Sequence, residues 1–183
     1  KEPHGGELKN LYLDAAAAEA EKQAARECAS WDLTERQLCD IELILNGAFS
    51  PLEGFLNKDD YEAVVGGMRL VNGVLWPMPI TLDVSEAFAE GLKSGDKIAL
   101  RDLEGVILAT LEVGDVWTPD KAAEAQGVFG TTDEKHPAVH YLNNLANPVY
   151  VGGKLTGVEA RTHYDFKHLR ESPAEVRTRF EKL

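Results

Sequence analysis

The sequence is poor in the features that usually announce a chemistry. It has only two cysteines, Cys28 and Cys39, and their spacing fits neither a C-x-x-C redox pair nor a zinc-ligand pair. Structural or incidental roles are expected, with Cys39 packing like an alanine beside an apolar helix face and Cys28 in an exposed helix, a reactive thiol being the alternative there. No apolar run is long enough to cross a bilayer, and the N-terminus has no basic region followed by a hydrophobic stretch. A soluble protein is expected, cytoplasmic by default. Because the chain starts at Lys1 instead of Met, it reads as a processed or expressed fragment, and a plastid location after loss of a transit segment stays open. Basic residues are also scarce: 19 Lys and Arg stand against 31 Asp and Glu, a net charge of −12. That balance repels nucleic acid and anionic membranes, so neither is expected as a partner. An anionic ligand would need a local cluster of cations or helix N-termini, and no dense cluster is visible.

Catalytic motifs are missing as well. Gly153-Lys154 within VGGKLTG invites comparison with a P-loop, but Pro148 stands where the first glycine belongs and Leu155 where the magnesium-binding hydroxyl belongs. A hairpin turn is the expected structure. His136 and His140 lie at i and i+4, a spacing that can put two metal ligands on one helical face, yet no H-E-x-x-H pattern or third ligand accompanies them. His136 precedes Pro137 and is expected at a helix entrance. His163 and His168 flank Tyr164, Asp165 and Phe166 and read either as surface or core histidines or as a docking surface for a following domain. Asp59-Asp60 and Asp102 with Glu104 read as solvated surface, and Ser50 lacks a nucleophile-elbow setting. No catalytic, cofactor-binding or metal-binding residue is assigned.

What is present is a chain 44% hydrophobic and 27% charged, the composition of one folded domain with appendages. Asp14 to Ala29 is alanine-rich and predicts a solvated helix or arm, with Trp31 anchoring it to the core. In LTERQLCDIELILNGAFSPLEGFL, from Leu33 to Leu56, Thr34 and Gln37 have capping-box spacing, and Leu38, Ile41, Ile44 and Leu45 make one apolar face. Asn46-Gly47 stops that helix. A second cap is expected at Asn57, with Leu56 and Tyr61 as a staple. Asn72-Gly73 predicts a hairpin, and Ile80, Leu82 and Val84 a half-buried strand. Ser85 caps a short helix. Strands are expected over Lys97 to Leu100 and over Val106 to Val113, extended by Val116 and Trp117, then a helix opened by Thr118-Pro119 and covering 120 to 129. Pro137 to Ala146 predicts a helix carrying Val139, Leu142 and Leu145. A last hairpin joins Val149–Val151 to Leu155–Glu159 through Gly152-Gly153. Ser172-Pro173-Ala174-Glu175 is a capping box starting a helix with Val176, Phe180 and Leu183 on one side. Ending on an unburied Leu, that helix is expected to be followed by more protein. Short strands with inserted helices predict an α+β domain around a small mixed barrel.

The wording of the segment from Arg36 to Gly47, then Phe49-Ser50-Pro51-Leu52 and Gly54-Phe55-Leu56, resembles the amino-terminal region of the ATP sulfurylase (sulfate adenylyltransferase) family. Further matches run along the chain: Pro3-His4-Gly5-Gly6, Leu75-Trp76, Pro79 to Val84, Glu134 to Pro137, Tyr150 to Gly153, and His163-Tyr164-Asp165. The resemblance implies a PUA-like barrel with inserted and flanking helices, placed before a separate catalytic domain. It divides the chain into an arm or helix over 1–30, the barrel over 31–170 and the start of a linker helix over 171–183. It implies a parent enzyme that converts ATP, with magnesium, and sulfate to adenosine 5′-phosphosulfate and pyrophosphate in sulfate assimilation, commonly as a homo-oligomer. The family's Gln-x-Arg-Asn-Pro, His-x-x-His and Gly-Arg-Asp-His segments are absent from this sequence. The chain is therefore expected to scaffold its own C-terminal catalytic domain and to be inactive alone. The alternative is a stand-alone PUA-like binding or regulatory module; binding of RNA by such a module is disfavoured by the charge.

Overall fold

A computed structural model describes residues 2–183. The chain divides into two compact units, one of residues 2–54, 97–112 and 154–183, the other of residues 55–96 and 113–153.

The first unit begins with helix α1, Ala15–Ala25, whose N-cap Asp14 accepts from the amides of Ala16 and Ala17. Alanine gives it propensity but little to bury, and only Ala18 and Ala25 are buried. After it comes strand β1, Ala29–Asp32, which the sequence pattern does not reveal. β1 runs parallel to β4, Lys97–Arg101, with Trp31 opposite Leu100. β4 is antiparallel to β5, Ile107–Trp117, with Ile98 opposite Leu111 and Leu100 opposite Ala109. The dense apolar run of β5 is buried from Leu108 to Leu111, as a strand covered on both faces requires. Helix α2, Glu35–Leu45, carries the expected box: Thr34 Oγ1 accepts from the Gln37 amide at 3.3 Å, and Gln37 Oε1 accepts from the Thr34 amide at 3.0 Å. Trp31 Nε1 donates to that same Oε1 at 3.1 Å, so the cap also fixes Trp31. Leu38, Ile41, Ile44 and Leu45 are buried. Gly47 takes φ 87° and has the Lys9 carbonyl where a Cβ would stand, so glycine is required.

The second unit holds α3, Lys58–Gly67, β3, Leu82–Val84, α4, Glu86–Ala89, α5, Lys121–Phe129, and α6, Pro137–Asn144. Ala125, Val139 and Leu142 pack together with Phe129 against them. Asn57 is the N-cap of α3 but its side chain makes no cap bond and lies against Gly114 and Gly152, while the Lys58 amide donates to Asp115 Oδ2 at 3.1 Å. Pro119 does not open α5, because Asp120 caps it through the amides of Ala122 and Ala123. Leu145 is the C-cap of α6 and is 65% exposed. β3 is buried on both faces, not one: Thr81 and Asp83 are inside with Leu82 and Val84.

The expected hairpin at Gly152-Gly153 is a single strand, β6, Val149–Gly157. The glycines serve close approach: a Cβ on Gly152 would lie 2.3 Å from the Leu56 carbonyl oxygen and 2.6 Å from Asn57 Cα. With β2, Gly54–Phe55, the strands form one sheet in the order β1-β4-β5-β6-β2, with β3 antiparallel to β6. The α+β class holds, while the sheet path stays open, its two end strands only four and two residues long and too short for the continuous ladder a closed barrel needs. The last helix, α7, Pro173–Phe180, starts at the expected Ser172–Glu175 box and buries no residue.

Candidate functional site

Helix α2 turns its polar side toward residues 158–171, which return across it. Arg161 Nη2 lies 3.6 Å from Glu35 Oε2, Arg161 Nη1 lies 3.9 Å from Cys39 Sγ, and His163 Nε2 lies 2.7 Å from Glu42 Oε1. The Tyr164 hydroxyl donates to the Glu104 carboxylate at 3.2 Å, whose charge pushes the phenol pKa up. These groups edge an open cleft of about 720 Å³. Arg170 pairs with Asp165 at 3.2 Å. Both arginines lining this cleft, Arg161 and Arg170, thus face a carboxylate, and a sulfate or polyphosphate would have to displace one to bind. Beside it, Leu43, Ala48, Pro173, Val176 and Phe180 line an apolar groove of about 680 Å³ between α2 and α7.

His163 is thus a partner of Glu42, while His168 sits exposed in a 3-10 turn, Lys167–Leu169. The structure does not bring these two histidines to one ligand. His136 is the N-cap of α6 without a cap bond and stacks on Phe129 at 5.3 Å; His140 contacts Asn144. Among the described residues, no group of three His, Cys, Asp or Glu is placed to hold a metal. Cys39 is exposed near Arg161, not packed into the apolar face, because the α2 stripe passes through Leu38 and Ile41 and leaves position 39 outside. Cys28 is half-buried in the turn after α1, with Sγ 3.7 Å from the Ala24 carbonyl. Ser50 is buried and structural: its hydroxyl donates to the Gly47 carbonyl at 2.6 Å and accepts from the Lys9 amide at 2.9 Å.

In the second unit, the buried polar centre is Glu124, whose Oε2 accepts from the hydroxyls of Tyr61 at 2.9 Å and Tyr150 at 3.0 Å. Desolvation, then the charge of Glu124, drives both phenol pKa values strongly up. Trp117 closes the cluster, 5.5 Å from the Tyr61 ring and 5.8 Å from the Tyr150 ring, and its Nε1 is buried with no hydrogen-bond partner. Lys121 donates to the carbonyls of Leu142 and Ala146 at 2.7 and 2.8 Å, its pKa lowered by burial. Asp83 Oδ2 accepts from the Asn147 amide at 2.7 Å. Sequence reasoning missed these carboxylates. The available signal was an aspartate inside the apolar run Ile80–Val84; Glu124, on a weakly patterned helix, gave none. The arrangement orders a core: it offers no nucleophile beside a base and no open polar face.

No helix among the described residues is long and apolar enough to cross a membrane. A family model described as a PUA-like domain matches residues 1–160. The sulfate adenylyltransferase of Neurospora crassa is 55% identical over 99% of this chain and 32% of its own length. Those of Eremothecium gossypii and Saccharomyces cerevisiae are 50% and 48% identical, over 97% and 98% of the chain and 36% and 35% of theirs. A solved structure described as a hexameric APS kinase from Thiobacillus denitrificans superposes with a TM-score of 0.78 at 32% identity, covering 99% of this chain and 31% of that one. The chain thus spans about a third of the length of the curated relatives it matches. With the match covering most of its residues and an α+β architecture around an open six-stranded sheet, the chain belongs to the PUA-like domain family.

Proposed function

We propose that this chain is the amino-terminal part of a sulfate adenylyltransferase, which joins ATP and sulfate to give adenosine 5′-phosphosulfate and pyrophosphate in sulfate assimilation. The observation that carries this reading is identity of about 50% along almost the whole chain to enzymes of that name roughly three times longer. Sulfate is a weak nucleophile, and its attack on the α-phosphorus builds negative charge that demands positioned cations and donors. The arginines of the α2 cleft are already paired, and the family's catalytic segments are absent from these 183 residues. ATP with magnesium, sulfate and the catalytic residues therefore belong to a further, C-terminal domain.

The part played here is a scaffold's. The apolar groove at α7 and the exposed Tyr164, Phe166, Leu169 and Phe180 supply a face for that domain, with α7 as the link toward it. The assembled enzyme is a homo-oligomer of the cytoplasm, or of a plastid if a transit segment was removed; neither nucleic acid nor membrane is a partner. The test is to follow the reading frame past Leu183 and to assay the complete product. A continuation containing Gln-x-Arg-Asn-Pro, with sulfate-dependent pyrophosphate exchange into ATP, is expected; a natural stop at Leu183, or an inactive complete product, overturns the reading.

A further inference from the structure

Asparagine followed directly by glycine occurs twice in the chain, at Asn46-Gly47 and Asn72-Gly73. The two pairs share their local bonding. Each asparagine Oδ1 accepts from the amide two residues on, Ala48 at 2.9 Å and Val74 at 3.0 Å, and each glycine takes a positive φ, 87° and 85°. Their surroundings differ. Gly47 is buried, with the Lys9 carbonyl against its α-carbon, the Ser50 hydroxyl donating to its carbonyl at 2.6 Å and the Phe49 amide reaching back to Leu43 at 2.9 Å. Asn72 and Gly73 are exposed, and a Cβ on Gly73 would meet nothing within 4 Å.

Asn72-Gly73 forms the tip of the expected hairpin. Leu70 N donates to the Val74 carbonyl at 2.9 Å, Trp76 N to the Met68 carbonyl at 2.9 Å, and Arg69 pairs with Leu75 in an antiparallel bridge. The Gly73 amide closes the tip on the Leu70 carbonyl at 2.8 Å. With solvent around it, that turn opens locally at far less cost than the core, whereas freeing the Gly47 amide from its packed neighbours requires the core to open.

We infer that Asn72 is a site of spontaneous covalent modification, deamidating to aspartyl and isoaspartyl residues while Asn46 in the same folded chain does not. The Gly73 nitrogen, once it gives up its proton, attacks Asn72 Cγ. The N–Cγ bond forms, the Cγ–Nδ2 bond breaks and ammonia leaves with a proton, closing a succinimide ring. Water then opens the ring at either carbonyl. Opening at Cγ gives aspartate, opening at the main-chain carbonyl gives isoaspartate with the backbone running through Cγ, and the net change is water taken up and ammonia lost. Three features of the tip favour the first step. Glycine at 73 leaves the attacking nitrogen unshielded by a side chain. The Val74 amide donates to Asn72 Oδ1, where negative charge develops as the ring closes. Arg69, the only charged side chain from Val64 to Leu82, donates through Nη1 to the Gly73 carbonyl at 2.9 Å, and a cation so near favours the deprotonated nitrogen.

Either product places a carboxylate at the tip. There it faces Asp60, whose Oδ1 accepts from the Val71 amide at 2.8 Å, so like charges now meet where the hairpin is tied to α3. Isoaspartate also adds one atom to the backbone between Leu70 and Val74, the bonded pair that closes the hairpin. The modified tip is therefore looser than the original.

Peptide mapping by mass spectrometry tests this, after the folded 183-residue chain and an aliquot in denaturing urea are aged together at mildly alkaline pH. In the folded sample, conversion at position 72 is expected to run at least about tenfold ahead of position 46, and the two should converge in urea, where burial no longer separates them. Methyl transfer from labelled S-adenosylmethionine by an isoaspartate-specific methyltransferase should label the aged folded chain and fall to background in Asn72→Gln, whose longer side chain closes the ring poorly. Equal conversion at both positions in the folded chain, conversion at 46 ahead of 72, or no conversion at 72 while the urea sample reacts overturns the proposal.

Discussion

In the unit of residues 55–96 and 113–153, two carboxylates lie inside, Asp83 at 1% and Glu124 at 6% exposure; tyrosine hydroxyls donate to Glu124 and the Asn147 amides to Asp83, and the charge of Lys121 acts on both. In the unit of residues 2–54, 97–112 and 154–183, carboxylates remain nearer solvent and pair directly with cations. Glu21 accepts from Lys97 at 2.7 Å and Thr110 at 2.6 Å, Glu53 lies between Lys9 and Lys154 at 3.0 and 3.2 Å, and Lys22 pairs with Glu159. The difference matters because a buried polar group that loses its partner carries its full desolvation cost, while an exposed ion pair hardly changes stability when broken. Acid at the surface of this chain is solubility; acid in the core is architecture.

The largest break in that contrast is expected from Glu124→Ala. It strands the Tyr61 and Tyr150 hydroxyls in a buried site and opens a void, at a cost of about 3–5 kcal/mol, measurable by urea unfolding. Tyr61→Phe with Glu124 retained should cost less, about 1–2 kcal/mol, since the carboxylate keeps its bond from Tyr150. If Glu124→Ala costs under about 1 kcal/mol, the buried cluster is not what orders this unit.

An alkaline titration tests the burial of tyrosines in both units. The folded pKa values of Tyr61 and Tyr150 lie above the ordinary 10, and that of Tyr12 is pushed up to about 12 by burial, then by Glu42. A raised folded value means stability that is complete below pH 10 and lost as pH rises through the folded values. Tyrosinate absorbance of these three should therefore appear together with loss of the near-ultraviolet dichroism. Ionisation of Tyr12, Tyr61 and Tyr150 near pH 10, with the fold intact, would count against the burial described.

Gln37→Ala comes next, at about 1–2 kcal/mol, because one amide oxygen serves both the helix cap and the Trp31 indole; a blue or red shift in tryptophan emission should accompany it, and an unchanged spectrum would deny the Trp31 contact. Lys97→Ala is expected to be smallest, below about 1 kcal/mol, since its pair with Glu21 is solvent-screened. The Lys97 and Thr110 bonds hold the Glu21 carboxyl below its ordinary 4.5. That contribution is present above pH 4.5 and fades as pH falls through the depressed folded value. The wild type and Lys97→Ala should therefore converge in melting temperature toward pH 3.

Local signals were legible in the sequence and long-range ones were not. Both capping boxes, at Thr34–Gln37 and Ser172–Glu175, are where the spacing puts them, because a cap is written in four consecutive residues. Asn57 misled because its side chain packs against Gly114 and Gly152, far along the chain, instead of turning back onto α3. Gly152-Gly153 read as a turn because glycine signals both bends and close approach, and only the position of Leu56 and Asn57 decides. β1 has four residues, too few for alternation, and owes its existence to β4. The polar clusters followed the same rule: the α2 cleft joins positions more than 100 residues apart, and the Glu124 centre draws on α3, α5 and β6.

A scaffold whose chemistry lies in another domain is tested by assaying the purified 183-residue chain for sulfate-dependent exchange of labelled pyrophosphate into ATP. No exchange above the protein-free blank is predicted, in a sample shown to be folded by its dichroism. Exchange that requires sulfate and rises with the concentration of the chain would contradict it.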